Sequence, residues 1–109
     1  CLGLMNQSQL IAFACGWIVA GELQITSIAV YPNYQRMGLG KAILSELLLK
    51  ARSLGVKKAT LEVKITNESA KALYKSLEFK IKGRRKQIYR DGSDALILWH
   101  DLIINPNKE

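Results

Sequence analysis

The chain has 109 residues, of which 49% are hydrophobic and 23% charged, and it carries a formal net charge of +7 at pH 7. This length suits one small domain, so a single domain over residues 1–109 is expected, and no apolar run approaches the ~20 residues that cross a membrane. The basic balance favours anionic partners such as nucleotide phosphates, nucleic acid or an acidic surface, without choosing among them.

The two cysteines, Cys1 and Cys15, are too few for a disulfide framework, and no Cys/His cluster has the spacing of a metal site. Cys15 lies in an apolar, strand-like run, which is typical of an inert buried thiol. The sequence therefore predicts no bound metal and favours a reducing, cytoplasmic location. Because the chain does not begin with Met, we expect a segment to precede Cys1 in the native protein.

The first part of the chain predicts a β-hairpin. Residues 10–20 and 23–30 are apolar and rich in strand-forming types, and a turn is predicted at Gly21-Glu22 between them. A loop follows the second strand, because Pro32 has no N–H group to donate within a sheet.

A helix and a second set of strands come next. Apolar residues from Gly38 to about Ser53 recur on one helical face, and Gly55 is the expected left-handed residue at the end of that helix. Strict alternation predicts a strand over residues 57–65 with one buried face, and Asn67 is a suitable N-cap for a short helix. The remaining predicted elements are a helix end at Ser76, a strand over residues 79–87, a hairpin turn at Asp91-Gly92 and a closing strand over residues 95–102. The order β-β-α-β-α-β-β implies an α/β domain with a mixed, mostly antiparallel sheet.

The stretch Gln35-Arg36-Met37-Gly38-Leu39-Gly40 joins the second strand to the first helix. Two glycines allow a tight turn and a close approach of the backbone to a phosphate. The first N–H groups of a helix lack internal partners, and the helix dipole favours negative charge at that end. The stretch therefore predicts a seat for a pyrophosphate, although the glycine pair alone could equally be an ordinary turn before a helix.

Three clusters occur in a fixed order: Gln35-x-x-Gly38-x-Gly40, then Leu61-Glu62-Val63-Lys64 with Thr66-Asn67 and Ala70, then Leu73-Tyr74 with Phe79. Together they resemble the GNAT acyl-CoA N-acyltransferase family, and within it the bacterial RimI-type enzymes that acetylate protein N-termini, including the alanine of a ribosomal protein. The resemblance covers residues 10–102 and implies the GNAT fold, a mixed and mostly antiparallel sheet flanked by helices. The family's N-terminal strand and the helices after it have no counterpart, so the chain is expected to be an N-terminally truncated GNAT domain.

The resemblance also implies roles for particular residues, with acetyl-CoA as cosubstrate and no metal. Glu62 matches the carboxylate that serves as general base, and Tyr74 matches the hydroxyl that protonates the leaving thiolate. Asn67 would contact the cofactor near its acyl end, and Gln35 opens the family motif. Main-chain groups of Ile28, Ala29 and Val30 would pair with the pantetheine arm, and the pyrophosphate would be held by the main-chain N–H groups of Arg36, Met37, Gly38, Leu39, Gly40 and Lys41.

These roles fit the chemistry of amine acetylation. An α-amino group has a pKa near ~8 and arrives largely protonated, so a carboxylate that accepts its proton, directly or through a water, makes it nucleophilic. A thiolate leaves more readily when an acid such as Tyr74 protonates it. Attack on the thioester would be direct, since neither cysteine has an evident histidine partner that would make it a nucleophile.

Simpler interpretations remain open for several of these residues. Glu62 alternates with apolar neighbours, so it could be a solvated strand residue; Tyr74 could belong to the core, and Asn67 could act only as a helix cap. The lone His100 is interpreted as structural. The basic run Lys82, Arg84, Arg85 and Lys86 is interpreted first as a solvated strand face, and second as an attraction for an acidic substrate or ribosomal surface.

One residue departs from the family pattern. Family members usually have glycine just before the phenylalanine that follows the tyrosine helix, whereas Glu78 occupies that position here. Because glycine permits a left-handed turn there, a strained or altered connection is predicted at Glu78.

The sequence as a whole predicts an enzyme that moves an acetyl group from acetyl-CoA to a protein N-terminal α-amino group. A small-amine acetyltransferase acting on a polyamine or an antibiotic is the first alternative. A non-catalytic module that binds CoA or nucleic acid is the second, although the scattered basic residues disfavour nucleic acid. A homodimer is also considered, because a surface left by absent helices could associate with a second copy.

Overall fold

The computed structural model describes residues 1–35, 38–86 and 90–102. These residues form six strands, two α-helices and one short 3-10 helix, in the order β1 (Leu2–Asn6), β2 (Gln9–Val19), β3 (Glu22–Val30), the 3-10 helix (Pro32–Tyr34), α1 (Leu39–Ser53), β4 (Lys58–Lys64), α2 (Glu68–Ser76), β5 (Lys80–Arg85) and β6 (Ala95–Asp101). The strands are mostly antiparallel, and the expected α/β class is confirmed. Among the described strands and α-helices the prediction missed β1, and residues 32–34, predicted as a loop, form the 3-10 helix. The predicted end of the fifth strand at Gln87 lies outside the described residues.

The chain divides into two compact units. The first contains Cys1–Ala59 together with Asp101 and Leu102 among the described residues, and the second is Thr60–His100. In the first unit β2 pairs with β1 on one side and β3 on the other, both antiparallel, and α1 packs against these three strands.

Helix α1 buries the apolar face that its sequence predicts. The buried residues on this face are Ile43, Leu44, Leu47, Leu48 and Ala51. Each large aliphatic side chain removed from water in this way contributes roughly 1.5–3 kcal/mol to folding. The helix ends as predicted, with Gly55 at a φ of 84°. The Gly55 N–H donates to Arg52 O and the Val56 N–H to Ala51 O, which is the paired pattern of a Schellman cap.

The β2–β3 turn lies one residue earlier than predicted. Val19 pairs with Glu22, so the two loop residues are Ala20 and Gly21, with φ of 51° and 79°. Positive φ at both loop positions matches the right-handed twist of the flanking strands, and glycine, which such loops favour at the second position, is found there as Gly21.

The cysteines form a disulfide, contrary to the prediction of an inert thiol. Strand β1 pairs with β2 so that Leu2 is opposite Ala14, which places Cys1 beside Cys15 with their Cα atoms 4.1 Å apart. The error follows from the missed strand, because without β1 nothing brings the two residues together.

The second unit contains most of β4, followed by α2, β5 and β6. Its strands lie in the order β4-β6-β5, so β6 separates β4 from β5, which lies at the edge. Strand β5 is antiparallel to β6, with Arg85 opposite Ala95. The predicted hairpin turn at Asp91-Gly92 lies within the connection between these two strands, where the Ser93 N–H donates to Asp91 Oδ1 and Gly92 has a φ of 81°.

The end of α2 bears out the prediction for Glu78, whose φ is 67°. Its N–H donates to Lys75 O, and the Phe79 N–H donates to Tyr74 O at 3.0 Å, so α2 ends in the same Schellman pattern as α1 with glutamate in place of glycine. The rings of Tyr74 and Phe79 lie 5.7 Å apart, which is the apolar contact that accompanies this cap. None of the helices described here is long and apolar enough to cross a membrane.

Candidate active site

The predicted pyrophosphate seat lies in the first unit, at the start of α1. Gly38 is the N-cap residue and has a φ of 78°, a backbone conformation that residues other than glycine rarely adopt. The first helical bond is Ala42 N–H to Gly38 O, so the N–H groups of Leu39, Gly40 and Lys41 have no acceptor within the helix. No acidic residue lies in the first turn, and a Cβ placed on Gly38 would meet no atom within 4 Å. This end of α1 is therefore open and suited to an anion.

The other two residues of the predicted seat, Arg36 and Met37, lie outside the described residues.

Gln35 ties the loop before α1 to the end of β3. Its side-chain Nε2 donates to Val30 O at 2.9 Å, and its own N–H donates to Pro32 O. The sequence identified Gln35 only as the opening of a motif. Its geometry indicates that the side chain fixes the path of the loop that leads into the predicted seat.

The strand register limits which main-chain groups of β3 could meet a cofactor. Ile28, Ala29 and Val30 pair with residues of β2, and the N–H of the next residue, Tyr31, donates to β2 at Ile11 O. Because main-chain groups alternate in direction along an antiparallel strand, those of Ala29 face β2, while those of Ile28 and Val30 face away from it. Of the three predicted residues, Ile28 and Val30 are therefore the ones whose main chain could reach a pantetheine arm.

Glu62 lies in the second unit, on the open face of β4. Its strand neighbours Leu61 and Val63 are buried, as the alternation predicts, whereas its own side chain is 36% exposed. Its Oε1 accepts a hydrogen bond from Arg85 Nη1 at 2.7 Å. This bond and the carboxylate charge raise the pKa of Arg85. The carboxylate is thus held at the surface by one cation from β5.

Tyr74 projects from the last turn of α2. Burial of its ring raises the pKa of the phenol, so the hydroxyl stays protonated throughout the neutral range. The Schellman cap places Phe79 against Tyr74, and the ring centroid of His100 lies 5.1 Å from that of Phe79. This packing orders the ring of Tyr74 and agrees with a structural role for His100.

Asn67 caps α2, as its position in the sequence predicts. Its Oδ1 accepts hydrogen bonds from the Ala70 N–H and the Ser69 hydroxyl, each at 3.2 Å. The side-chain amide nitrogen is not engaged in this cap, so a cofactor contact remains a compatible prediction. Across the described ranges, no group of three His, Cys, Asp or Glu residues is arranged to hold a metal ion.

The basic run on β5 is partly neutralised by acidic residues, which sequence reasoning did not anticipate. Arg84 pairs with Asp94, while the next residue, Arg85, pairs with Glu62. A separate pair joins Lys64, at the end of β4, to Asp91. The hydrogen bond from Lys64, and to a smaller extent those from Ser93, hold the pKa of Asp91 well below its usual range. The sequence holds no local signal for the Arg85–Glu62 pair, because it depends on the strand order.

Comparison with known proteins relates this geometry to a family. Residues 1–79 match the sequence model of the acetyltransferase (GNAT) family. The ribosomal protein bS18-alanine N-acetyltransferase of Escherichia coli K12 is 40% identical over 98 residues, which cover 87% of this chain and 66% of that relative. The N-alpha-acetyltransferase RimI of Mycobacterium tuberculosis H37Rv is 42% identical over 81 residues, covering 73% of this chain and 49% of that relative.

A solved structure agrees with these sequence relatives. The crystal structure of the ribosomal-protein-S18-alanine N-acetyltransferase from Escherichia coli has a TM-score of 0.87 and 35% sequence identity, and the match covers 98% of this chain and 71% of that one. The chain spans about half to two thirds of the length of the two sequence relatives. Because the family match covers residues 1–79 and a 40% identical relative aligns with most of the chain, the chain belongs to the acetyltransferase (GNAT) family.

Proposed function

We propose that this protein transfers an acetyl group from acetyl-CoA to a protein N-terminal α-amino group, and that its acceptor is an N-terminal alanine such as that of a ribosomal protein. The observation that carries this proposal is the 40% identity to an enzyme with that named activity. The exposed carboxylate of Glu62, in the predicted position on β4, supports it. Acetylation of a ribosomal protein would take place in the cytoplasm, where a reducing environment would favour the reduced thiols over the Cys1–Cys15 disulfide.

The start of α1 would hold the cosubstrate. The left-handed Gly38 leaves open space, and the N–H groups of Leu39, Gly40 and Lys41 are suited to the negative charge of a pyrophosphate. Main-chain groups of Ile28 and the N–H of Val30, which face away from β2, would bond the pantetheine arm in the manner of an added strand, since Val30 O already accepts a hydrogen bond from Gln35.

In the reaction, Glu62 would accept a proton from the acceptor ammonium, directly or through one water. The freed amine would attack the thioester carbonyl, so a C–N bond forms and the C–S bond breaks. The phenol of Tyr74 would protonate the departing thiolate, and the second proton that the attacking nitrogen loses as the amide forms would restore the phenol. Burial raises the pKa of this phenol, so the hydroxyl carries its proton at neutral pH and is available as a donor. A main-chain N–H near Val63 would polarise the carbonyl.

Two assays test this function. Acetyl-CoA should raise the thermal midpoint of unfolding, since a ligand that binds only the folded state stabilises it. Thiol release should then be measured with N-terminal alanine peptides, lysine peptides and polyamines as acceptors. Turnover that is fastest with the alanine peptides supports the proposal, whereas turnover confined to polyamines would favour the small-amine alternative.

A CoA-binding module without catalysis is the second candidate. It is favoured by the ion pair that already engages Glu62. Stabilisation by acetyl-CoA with no thiol release from any amine would support it.

The oligomeric state is a separate proposal. Three consecutive apolar residues at the end of β2, Trp17, Ile18 and Val19, are all about half exposed or more. Such a surface favours self-association. Light scattering of the parent chain and of Trp17→Lys would test for a homodimer that depends on this surface.

A further inference from the structure

We propose that Arg85 is a positioning residue that fixes the Glu62 carboxylate in the orientation needed for proton transfer. This inference rests on the proposed function, in which Glu62 accepts the proton of the acceptor amine. It adds a requirement that the sequence did not reveal, namely a cation on a different strand from the base.

The geometry of the pair favours orientation over simple surface attraction. Arg85 is the register partner of Ala95 on β6, and β6 separates β5 from β4, so the arginine side chain extends across one whole strand to reach Glu62. The hydrogen bonds from Ile65 N–H to Asp94 O and from Leu102 N–H to Lys57 O place Glu62 opposite Ile97, so the path from Arg85 is diagonal across β6. Two strand spacings of about 10 Å in all, with an offset of two residues or about 7 Å along the strand, make a separation that two long side chains can bridge together.

The contact fixes one carboxylate oxygen. Arg85 Nη1 donates to Glu62 Oε1 at 2.7 Å, while the residues described here place no partner on Oε2. A charge-assisted bond of this length restricts rotation of the carboxylate, so Oε2 would have a defined direction in which to accept a proton. Holding a base in the productive geometry before the reaction lowers the entropic part of the barrier.

The chain offers a matched control in the adjacent residue. Arg84 and Arg85 lie on the same strand, and both side chains are 56% exposed. Arg84 pairs with Asp94 instead of Glu62. Loss of either arginine removes one positive charge and one ion pair from β5, but only loss of Arg85 releases Glu62.

The test measures kcat, KM and the thermal midpoint for Arg85→Gln, Arg84→Gln, Glu62→Gln and the double variant of Arg85 and Glu62. The acceptor is a peptide that carries an N-terminal alanine, and the acetyl-CoA Kd is measured separately. We expect Arg85→Gln to lower kcat on the order of tenfold, within the usual coupling of residues in one hydrogen-bonded network. The acetyl-CoA Kd should stay unchanged, and Arg84→Gln should keep kcat within about twofold of the parent.

The double variant separates positioning from a structural effect. If Arg85 acts through Glu62, the double variant should be no slower than Glu62→Gln alone, and Arg85→Lys should recover part of kcat because it retains a positive charge that can reach the carboxylate. The proposal would be overturned if the two single-variant losses of kcat multiplied in the double variant. It would also be overturned if Arg84→Gln and Arg85→Gln lowered kcat equally. If Glu62→Gln itself leaves kcat unchanged, the base role fails first, and the positioning role fails with it.

Discussion

Replacing Glu78 with glycine should stabilise the protein. Glu78 closes the Schellman cap of α2 at a φ of 67°, where an L side chain crowds the backbone, and its negative charge lies beside the negative end of the helix dipole. Glycine has no side chain that would crowd the backbone, and loss of the glutamate charge is favourable at the negative end of the helix dipole. The change keeps the backbone bonds of the cap, because both are made by main-chain atoms.

The expected gain is a difference between two effects. Relief of the left-handed conformation contributes about 1–2 kcal/mol to the free energy of unfolding, and the greater freedom of glycine in the unfolded chain offsets about 0.5–1 kcal/mol of it. A net gain of about 0.5–1 kcal/mol corresponds to a rise of roughly 2–5 °C in the thermal midpoint for a chain of this size. Urea unfolding monitored by circular dichroism measures the same free energy independently.

Two control variants separate the causes. Glu78→Gln removes the charge but keeps the left-handed side chain, so it should recover only the dipole contribution of a few tenths of a kcal/mol. Gly55→Ala introduces the reverse change at the equivalent position of α1, where φ is 84°, and should lose about 1 kcal/mol. A Glu78→Gly variant that is less stable than the parent would refute the reasoning.

The remaining predictions concern the site and the disulfide. Glu62→Gln should lower the rate of acetyl transfer at neutral pH, and the deficit should shrink towards pH 9 as the acceptor amine, with a pKa near ~8, loses its proton unaided; an equal deficit at every pH would count against a base. Gly38→Val should abolish acetyl-CoA binding in calorimetry, because φ is 78° there and a side chain would fill the approach to the backbone; unchanged affinity would contradict the predicted seat. Tyr74→Phe should lower kcat. Burial raises the pKa of Tyr74, so the protonated phenol stabilises the fold below pH ~10 and this stabilisation is lost as the pH rises above that value. Phenylalanine does not titrate, so urea unfolding above pH ~10 should lower the free energy of unfolding less for Tyr74→Phe than for the parent. Reduction of the Cys1–Cys15 bond, which closes a loop with a sequence separation of 14, should lower the unfolding free energy by up to about 3 kcal/mol, and two titratable thiols in the non-reduced protein would show that the bond is absent.

Much of the fold could be predicted because its signals are local. The apolar stripe of α1 and the alternation of Leu61 and Val63 in β4 each identify an element and its buried face. Asn67 and Gly55 mark helix ends through the backbone groups they satisfy or the φ they adopt. The left-handed conformation of Glu78 could be anticipated only from the resemblance, because family members usually have glycine at this position.

The features that were missed depend on pairing between distant segments. Strand β1 has five residues and contains a glycine, so its own sequence carries little strand signal, and the Cys1–Cys15 contact follows only from its pairing with β2. The bond between Arg85 and Glu62 requires the strand order β4-β6-β5, which periodicity does not contain. Of the candidate site, sequence alone could therefore place residues on their elements but not identify their partners.

The composition of β5 has a consequence for behaviour in solution. Its six residues include Lys80, Lys82, Arg84 and Arg85, and the strand lies at the edge of its unit with one row of backbone groups available for pairing. Edge strands of this kind recruit strands of other molecules unless charge prevents it, and clustered cations repel a second copy of the same strand. Replacing these cations with neutral residues should therefore favour intermolecular β-pairing along the strand that supplies a partner for Glu62.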